Sequence, residues 1–73
     1  MTSQALKNAR FEAEWISEND GYAAILQPVG FDEGDEGFVV EADEDNANNA
    51  ERCTDYRIIE EYVDGHCVHV AKK

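Results

Sequence analysis

Apolar and polar residues alternate from Arg10 to Ile16, with Phe11, Ala13 and Trp15 on one side and Glu12 and Glu14 on the other. A period of two predicts a half-buried strand. Residues 1 to 8 ahead of it read as frayed or weakly helical. Ser17, Glu18, Asn19, Asp20 and Gly21 supply turn chemistry. Tyr22 to Gln27 reads as a second strand, ended by Pro28, and the two strands are expected to form a hairpin. The segment from Gly30 to Gly37 holds three glycines and four acids and reads as an exposed connector.

Phe38 to Ala42 reads as a third strand. Asp43 to Asn46 is a cluster of helix N-cap residues, and carboxylates there suit the positive end of a helix dipole. A short helix is expected from this point through about Asp55, with a narrow stripe of Ala47, Ala50 and Cys53. Arg57 to Val63 and His66 to Ala71 flank Asp64-Gly65, a strong signal for a two-residue hairpin turn. That turn pairs Val63 with His66, Glu61 with Val68 and Ile59 with Val70 on one face. Tyr62 with Cys67, Glu60 with His69 and Ile58 with Ala71 fall on the other. The more apolar face, with Ile59, Val63, Val68 and Val70, is expected to be the core face. The pattern predicts an α+β fold in one domain, residues 1–73: a small antiparallel β-sheet of about five strands in two hairpins, with one short helix packed on one face.

Composition adds one outlying feature. The 73 residues include 17 acids and six bases, for a net charge of −11. All 17 acids lie between Phe11 and Ala71, with only Arg52 and Arg57 among them, so that stretch carries −15. Self-repulsion of this size opposes compaction and contributes nothing to the fold. Solubility requires only about 2 to 8 net charges in a small domain. The eight acids Asp32, Glu33, Asp35, Glu36, Glu41, Asp43, Glu44 and Asp45 occupy 14 residues without a base. Glu12, Glu14 and Glu60 extend the charge onto expected strands, where alternate residues stand roughly 6.6 Å apart. A compact chain of this length is roughly 29 Å across. Duplex DNA of that length carries about 17 charges, a number close to the acid count here. The charge therefore predicts a partner lined with lysine and arginine, and it disfavours direct nucleic-acid binding.

Other chemistries find less support. Asp32, Glu36, Gly37 and Asp43 partly match a calcium loop, but Gly34 stands where an oxygen ligand is needed. A small calcium-binding module with ligands in segment 32–45 is the alternative expectation. His66, Cys67, His69 and Cys53 invite a zinc reading. On a regular strand, however, His66 and His69 point to opposite faces, and a buried cysteine pair is the plainer expectation. An acidic environment raises a thiol pKa, the wrong direction for a reactive thiolate. No catalytic residue, metal or cofactor is expected, and the chain does not read as an enzyme. It has no run of about 18 apolar residues and no apolar signal core at its N-terminus. A cytoplasmic location is expected, as a monomer or weak dimer, with Cys53 and Cys67 as free thiols.

A tiny acidic α+β chain with an N-terminal hairpin, an acidic connector, one short helix and a C-terminal hairpin resembles the small phage-encoded anti-CRISPR proteins. The likeness is greatest to those acting on type I effector complexes, type I-C among them. It covers most of the chain and is one of size, charge and element order. Several members are DNA mimics. The resemblance implies an inhibitor in the host bacterial cell that occupies the basic surface where a Cascade-type complex receives target DNA. It transfers no individual residue. From charge alone, the expected contact residues are Glu12, Glu14, Asp32, Glu33, Asp35, Glu36, Glu41, Asp43, Glu44, Asp45 and Glu60.

Overall fold

A computed structural model of the protein describes residues 4–28, 38–53 and 56–70. The elements run α1 (Gln4–Asp20), β1 (Tyr22–Pro28), β2 (Val39–Glu41), α2 (Glu44–Arg52), β3 (Tyr56–Val63) and β4 (His66–Val70). The strands form an antiparallel sheet in the order β2-β1-β3-β4. The α+β class is as the sequence predicts. The sheet has four strands where about five were expected, and a second helix takes the place of the first.

The segment from Arg10 to Ile16 is helix, not strand. Over seven residues its alternation mimics a strand, but over 14 residues another period wins. Leu6, Ala9, Ala13, Ile16 and Ser17 recur at three- and four-residue intervals and are buried or half-buried in the helix. Glutamine, alanine, leucine, lysine, arginine and glutamate, all good helix formers, fill most of the segment. The helix ends because Gly21 adopts φ +90°, a left-handed conformation that costs glycine nothing. Its N–H donates to the Ser17 carbonyl at 2.8 Å and closes the last turn.

α1 lies on one face of the sheet and α2 on the other. Ala9 and Ala13 pack against Ala23, Ile25 and Tyr62, with Phe38, Val40 and Ile59 around them. On the opposite face Ala47 of α2 meets Ala24, Leu26 and Ile58, with Tyr22, Ala50 and Tyr56 at the margin. The central strand β1 is therefore buried on both faces, and Ala23 to Leu26 run continuously apolar, as a doubly covered strand requires. The buried apolar residues that the helices turn toward the sheet, Ala9, Ala13 and Ala47, are all alanine.

α2 begins where its cap chemistry dictates. Asp43 keeps extended dihedrals, and its Oδ1 accepts from the N–H groups of Asp45 at 2.9 Å and Asn46 at 3.2 Å. The Asp64-Gly65 turn has φ values of 52° and 86°, the type I′ geometry that suits a tight hairpin.

Two register shifts decide the faces of β3 and β4. Ile25 pairs with Glu60 but Leu26 pairs with Ile58, which leaves Ile59 as an extra residue in β3. Val68 is the extra residue in β4: Tyr62 pairs with Cys67 and Glu61 with His69. A one-residue slip exchanges the faces of everything beyond it. Ile58 thus faces α2, while Glu60 and Tyr62 face α1. The expected core face of Ile59, Val63, Val68 and Val70 is corrected accordingly. Ile59 is half-buried against the α1-side cluster, and the three valines are exposed. The pairs Val63–His66 and Tyr62–Cys67 next to the turn stand as predicted. Beyond them, Glu61 meets His69 and Glu60 meets Val70.

Ala13 is fully buried between α1 and the sheet. Ala13→Leu is expected to overpack this contact and cost about 1–3 kcal/mol, read as a lower urea midpoint in chemical denaturation.

Candidate interaction surface

Glu60 is the clearest departure from the charge-based site. It is 4% exposed, not a surface acid. Arg10 reaches across from α1 and grips it in a forked pair. Nε donates to Oε1 at 3.1 Å and to Oε2 at 2.9 Å, and Nη2 donates to Oε2 at 2.7 Å. The Tyr62 hydroxyl adds a bond to Oε1 at 2.7 Å. Fork-to-fork geometry of this kind is strong as well as directional. The Arg10 pKa is raised, chiefly by its hydrogen bonds to Glu60. Burial, followed by the bond to Glu60, pushes the Tyr62 hydroxyl well above the usual tyrosine range. Glu60 therefore fastens α1 to β3 and is withdrawn from the expected contact set.

Other carboxylates also have internal partners. Glu61 Oε2 accepts from the Tyr22 hydroxyl at 2.5 Å, and burial plus this bond raises the Tyr22 pKa in turn. Glu51 Oε2 accepts from the Ile58 N–H at 3.1 Å and ties α2 to β3. Glu41, half-buried at the end of β2, accepts from the Asp43 N–H at 3.0 Å. Ser17, fully buried, donates to the Glu14 carbonyl and accepts from the Gly65 N–H at 2.8 Å, joining the end of α1 to the β3–β4 turn.

The remaining expected acids divide between the two sides of the sheet. Glu12 and Glu14 are exposed on α1, and so are Glu18 and Asp20. They lie on a helix, so the strand-spaced lattice of carboxylates expected from the sequence does not form. Asp43, Glu44 and Asp45 are exposed at the start of α2, on the opposite side. Asp32, Glu33, Asp35 and Glu36 lie outside the described residues. Among the described residues the one ion pair is Arg10–Glu60, and the exposed carboxylates form none.

The structure also places side chains that charge reasoning overlooked. Phe11 and Trp15 are 75% and 62% exposed. Together with Asn8 and Glu12 they line a shallow trough of about 410 Å³ on the outer side of α1. The signal was in the sequence: residues 8, 11, 12 and 15 form one helical face, opposite Ala9 and Ala13. Reading the segment as a strand put Phe11, Ala13 and Trp15 together and hid it. Phe38 is half-buried and Tyr62 is buried.

The metal and thiol readings shift as well. The extra residue at Val68 separates Cys67 from His69 in facing and brings His66 and His69 to one face. Among the described residues no group of three or more histidine, cysteine or acidic side chains is placed to hold a metal ion. Asp43, the last position of the partial calcium loop, already caps α2. Cys53 and Cys67 are free and exposed, not a buried pair. No helix among the described residues is long and apolar enough to cross a membrane.

Arg10→Ala leaves the Glu60 carboxylate buried without its counter-charge. It is expected to cost about 2 kcal/mol, less than the roughly 3–5 of a fully enclosed pair because Arg10 keeps contact with water. Glu14→Gln is expected to stay within about 0.5 kcal/mol in the same urea titration. Alkaline pH should act through the tyrosines. Above the ordinary tyrosine pKa of 10.0 the unfolded chain releases protons that folded Tyr22 and Tyr62 retain, so stability falls as pH rises. Denaturation midpoints between pH 9 and about 11 are expected to decline, and Tyr62→Phe is expected to flatten that decline.

No family model, curated protein or solved structure matches this chain, and its function rests on its own residues.

Proposed function

We propose that this protein is an acidic DNA-mimic inhibitor. It binds the lysine- and arginine-rich surface on which a CRISPR effector complex of the Cascade type receives target DNA, and it blocks recognition of that DNA. The observation that carries this reading is that, among the described residues, the exposed acids have no cationic partner. The fold neutralises the carboxylate it buries, with Arg10, and leaves those on α1 and at the start of α2 without cationic partners among the described residues. Such an arrangement raises self-repulsion without stabilising the fold. A basic partner would relieve it.

The distribution favours a cleft over a flat surface. The described residues measure 31 × 28 × 18 Å, and exposed acids stand on α1 and at the start of α2, on opposite faces of the sheet. A duplex 31 Å long carries about 18 charges, against 17 acids in this chain, of which Glu60 is buried and paired with Arg10. A small body charged on both faces of its sheet can meet the two walls of a basic groove at once. Electrostatic steering would speed the encounter, and salt would weaken it, since exposed charges are screened beyond about 8 Å at physiological ionic strength.

Competition on a guide-loaded type I effector complex tests the proposal. Mobility-shift titration of duplex target is expected to show DNA binding lost as the protein is added, with potency falling as salt rises. Reversal of Asp32, Glu33, Asp35 and Glu36 to lysine, or of Glu44 and Asp45, is expected to weaken inhibition about tenfold or more while far-UV circular dichroism stays native. Unchanged target binding in the presence of excess native protein would sink the assignment to this complex.

A further inference from the structure

The chain turns alanines inward and its bulkiest aromatics outward on α1. Ala9 and Ala13 are buried against the sheet, while Phe11 and Trp15 stand in solvent on the far side. Burying either ring would stabilise the fold, and the chain forgoes that here. The other exposed large apolar residues, Val39, Val63, Val68 and Val70, are on strands. On α1 the two rings stand side by side at i and i+4.

At about 3.6 residues per turn, the Phe11–Trp15 ridge has Asn8 and Glu12 along one flank and Glu14 and Glu18 along the other. Asn8, Phe11, Glu12 and Trp15 line the trough. An aromatic centre with a charged margin is the anatomy of a protein-binding hot spot. The charge decides the occupant. A second copy seated on this face would bring Glu12, Glu14 and Glu18 against their own equivalents in a chain of net charge −11, and like charges across an interface cost several kcal/mol. An arginine satisfies both parts. Its guanidinium stacks flat on an indole face, where cation–π attraction operates, and its N–H groups reach a neighbouring carboxylate.

We infer that the outer face of α1 is the anchor of the partner interface and takes an arginine-bearing basic segment of a protein, with guanidinium stacked on Trp15 and paired to Glu12. The inference rests on the acidic-surface reading above and deepens it, because acids alone steer a partner without choosing one. Trp15 and Phe11 supply the contact that salt does not screen.

Trp15 is the sole tryptophan, so its fluorescence reports the site directly. The test titrates the full chain with an oligo-arginine peptide and an oligo-lysine peptide of equal length, first at low salt and then at high. A saturable change in Trp15 emission is expected, with tighter binding of oligo-arginine and a residue of that preference at high salt. By calorimetry, Trp15→Ala and Phe11→Ala are each expected to weaken oligo-arginine binding about tenfold. Both side chains are exposed, so circular dichroism is expected to remain native. Native affinity in both variants, with salt-dependent binding intact, would overturn the aromatic anchor and leave the acidic reading standing. Absence of binding by either peptide at low salt would overturn both. A dimer seen by sedimentation that Trp15→Ala dissociates would name a second copy as the occupant and overturn the basic-partner assignment.

Discussion

A guanidinium on α1 and a carboxylate on β3 set the orientation of everything on that side of the sheet. Arg10 and Glu60 meet in a forked pair with the Tyr62 hydroxyl as a further donor. The pair fixes the rotation of α1 about its own axis. With Arg10 held toward the sheet, Ala9 and Ala13 must face inward and Phe11 and Trp15 must face solvent. Ser17, seven residues further along, makes a second attachment to the Gly65 N–H. Alanine contacts alone would tolerate some helix rotation, because small side chains interlock weakly. Directional hydrogen bonds do not.

The acids of this chain separate into two populations under that constraint. Glu41, Asp43, Glu51, Glu60 and Glu61 accept hydrogen bonds that hold elements together or cap them. Glu12, Glu14, Glu44 and Asp45 project into solvent with no ion pair among the described residues. The first group shows why part of the negative charge belongs to the architecture. The second carries the charge on which the proposed binding function rests, with the outward rings of α1 as its proposed anchor.

The doubly covered sheet explains why so small a chain can bury the centre of β1, Ala23 to Leu26. Residues on both faces of β1 are removed from water by helices whose contact residues are mostly alanine. The extra residue Ile59 lets β3 present Ile58 to α2 and Glu60 to α1 within a few residues. Without that shift, Ile58 and Glu60 would share one face, and the carboxylate that Arg10 holds would compete with the apolar contact to Leu26 and Ala47.

The alternation of apolar residues from Arg10 to Ile16 is where sequence and structure part. Local chemistry sufficed for β1, the Asp43 cap of α2 and the Asp64-Gly65 hairpin, because turn dihedrals, caps and short apolar runs are properties of neighbouring residues. The sequence also determined the excess of acid and where along the chain it is concentrated. It left open whether a seven-residue alternation belongs to a strand or to one side of a helix, since the two periods coincide over so short a span. The wider period of Leu6, Ala9, Ala13, Ile16 and Ser17 points to the helix, and tertiary contacts seat Ala9, Ala13 and Ser17 against the sheet. They also decided which carboxylates are structural. Glu60 and Glu14 are the same residue type in similar local company, and only the arrival of Arg10 from the opposite end of the chain makes one an internal bond and leaves the other in water.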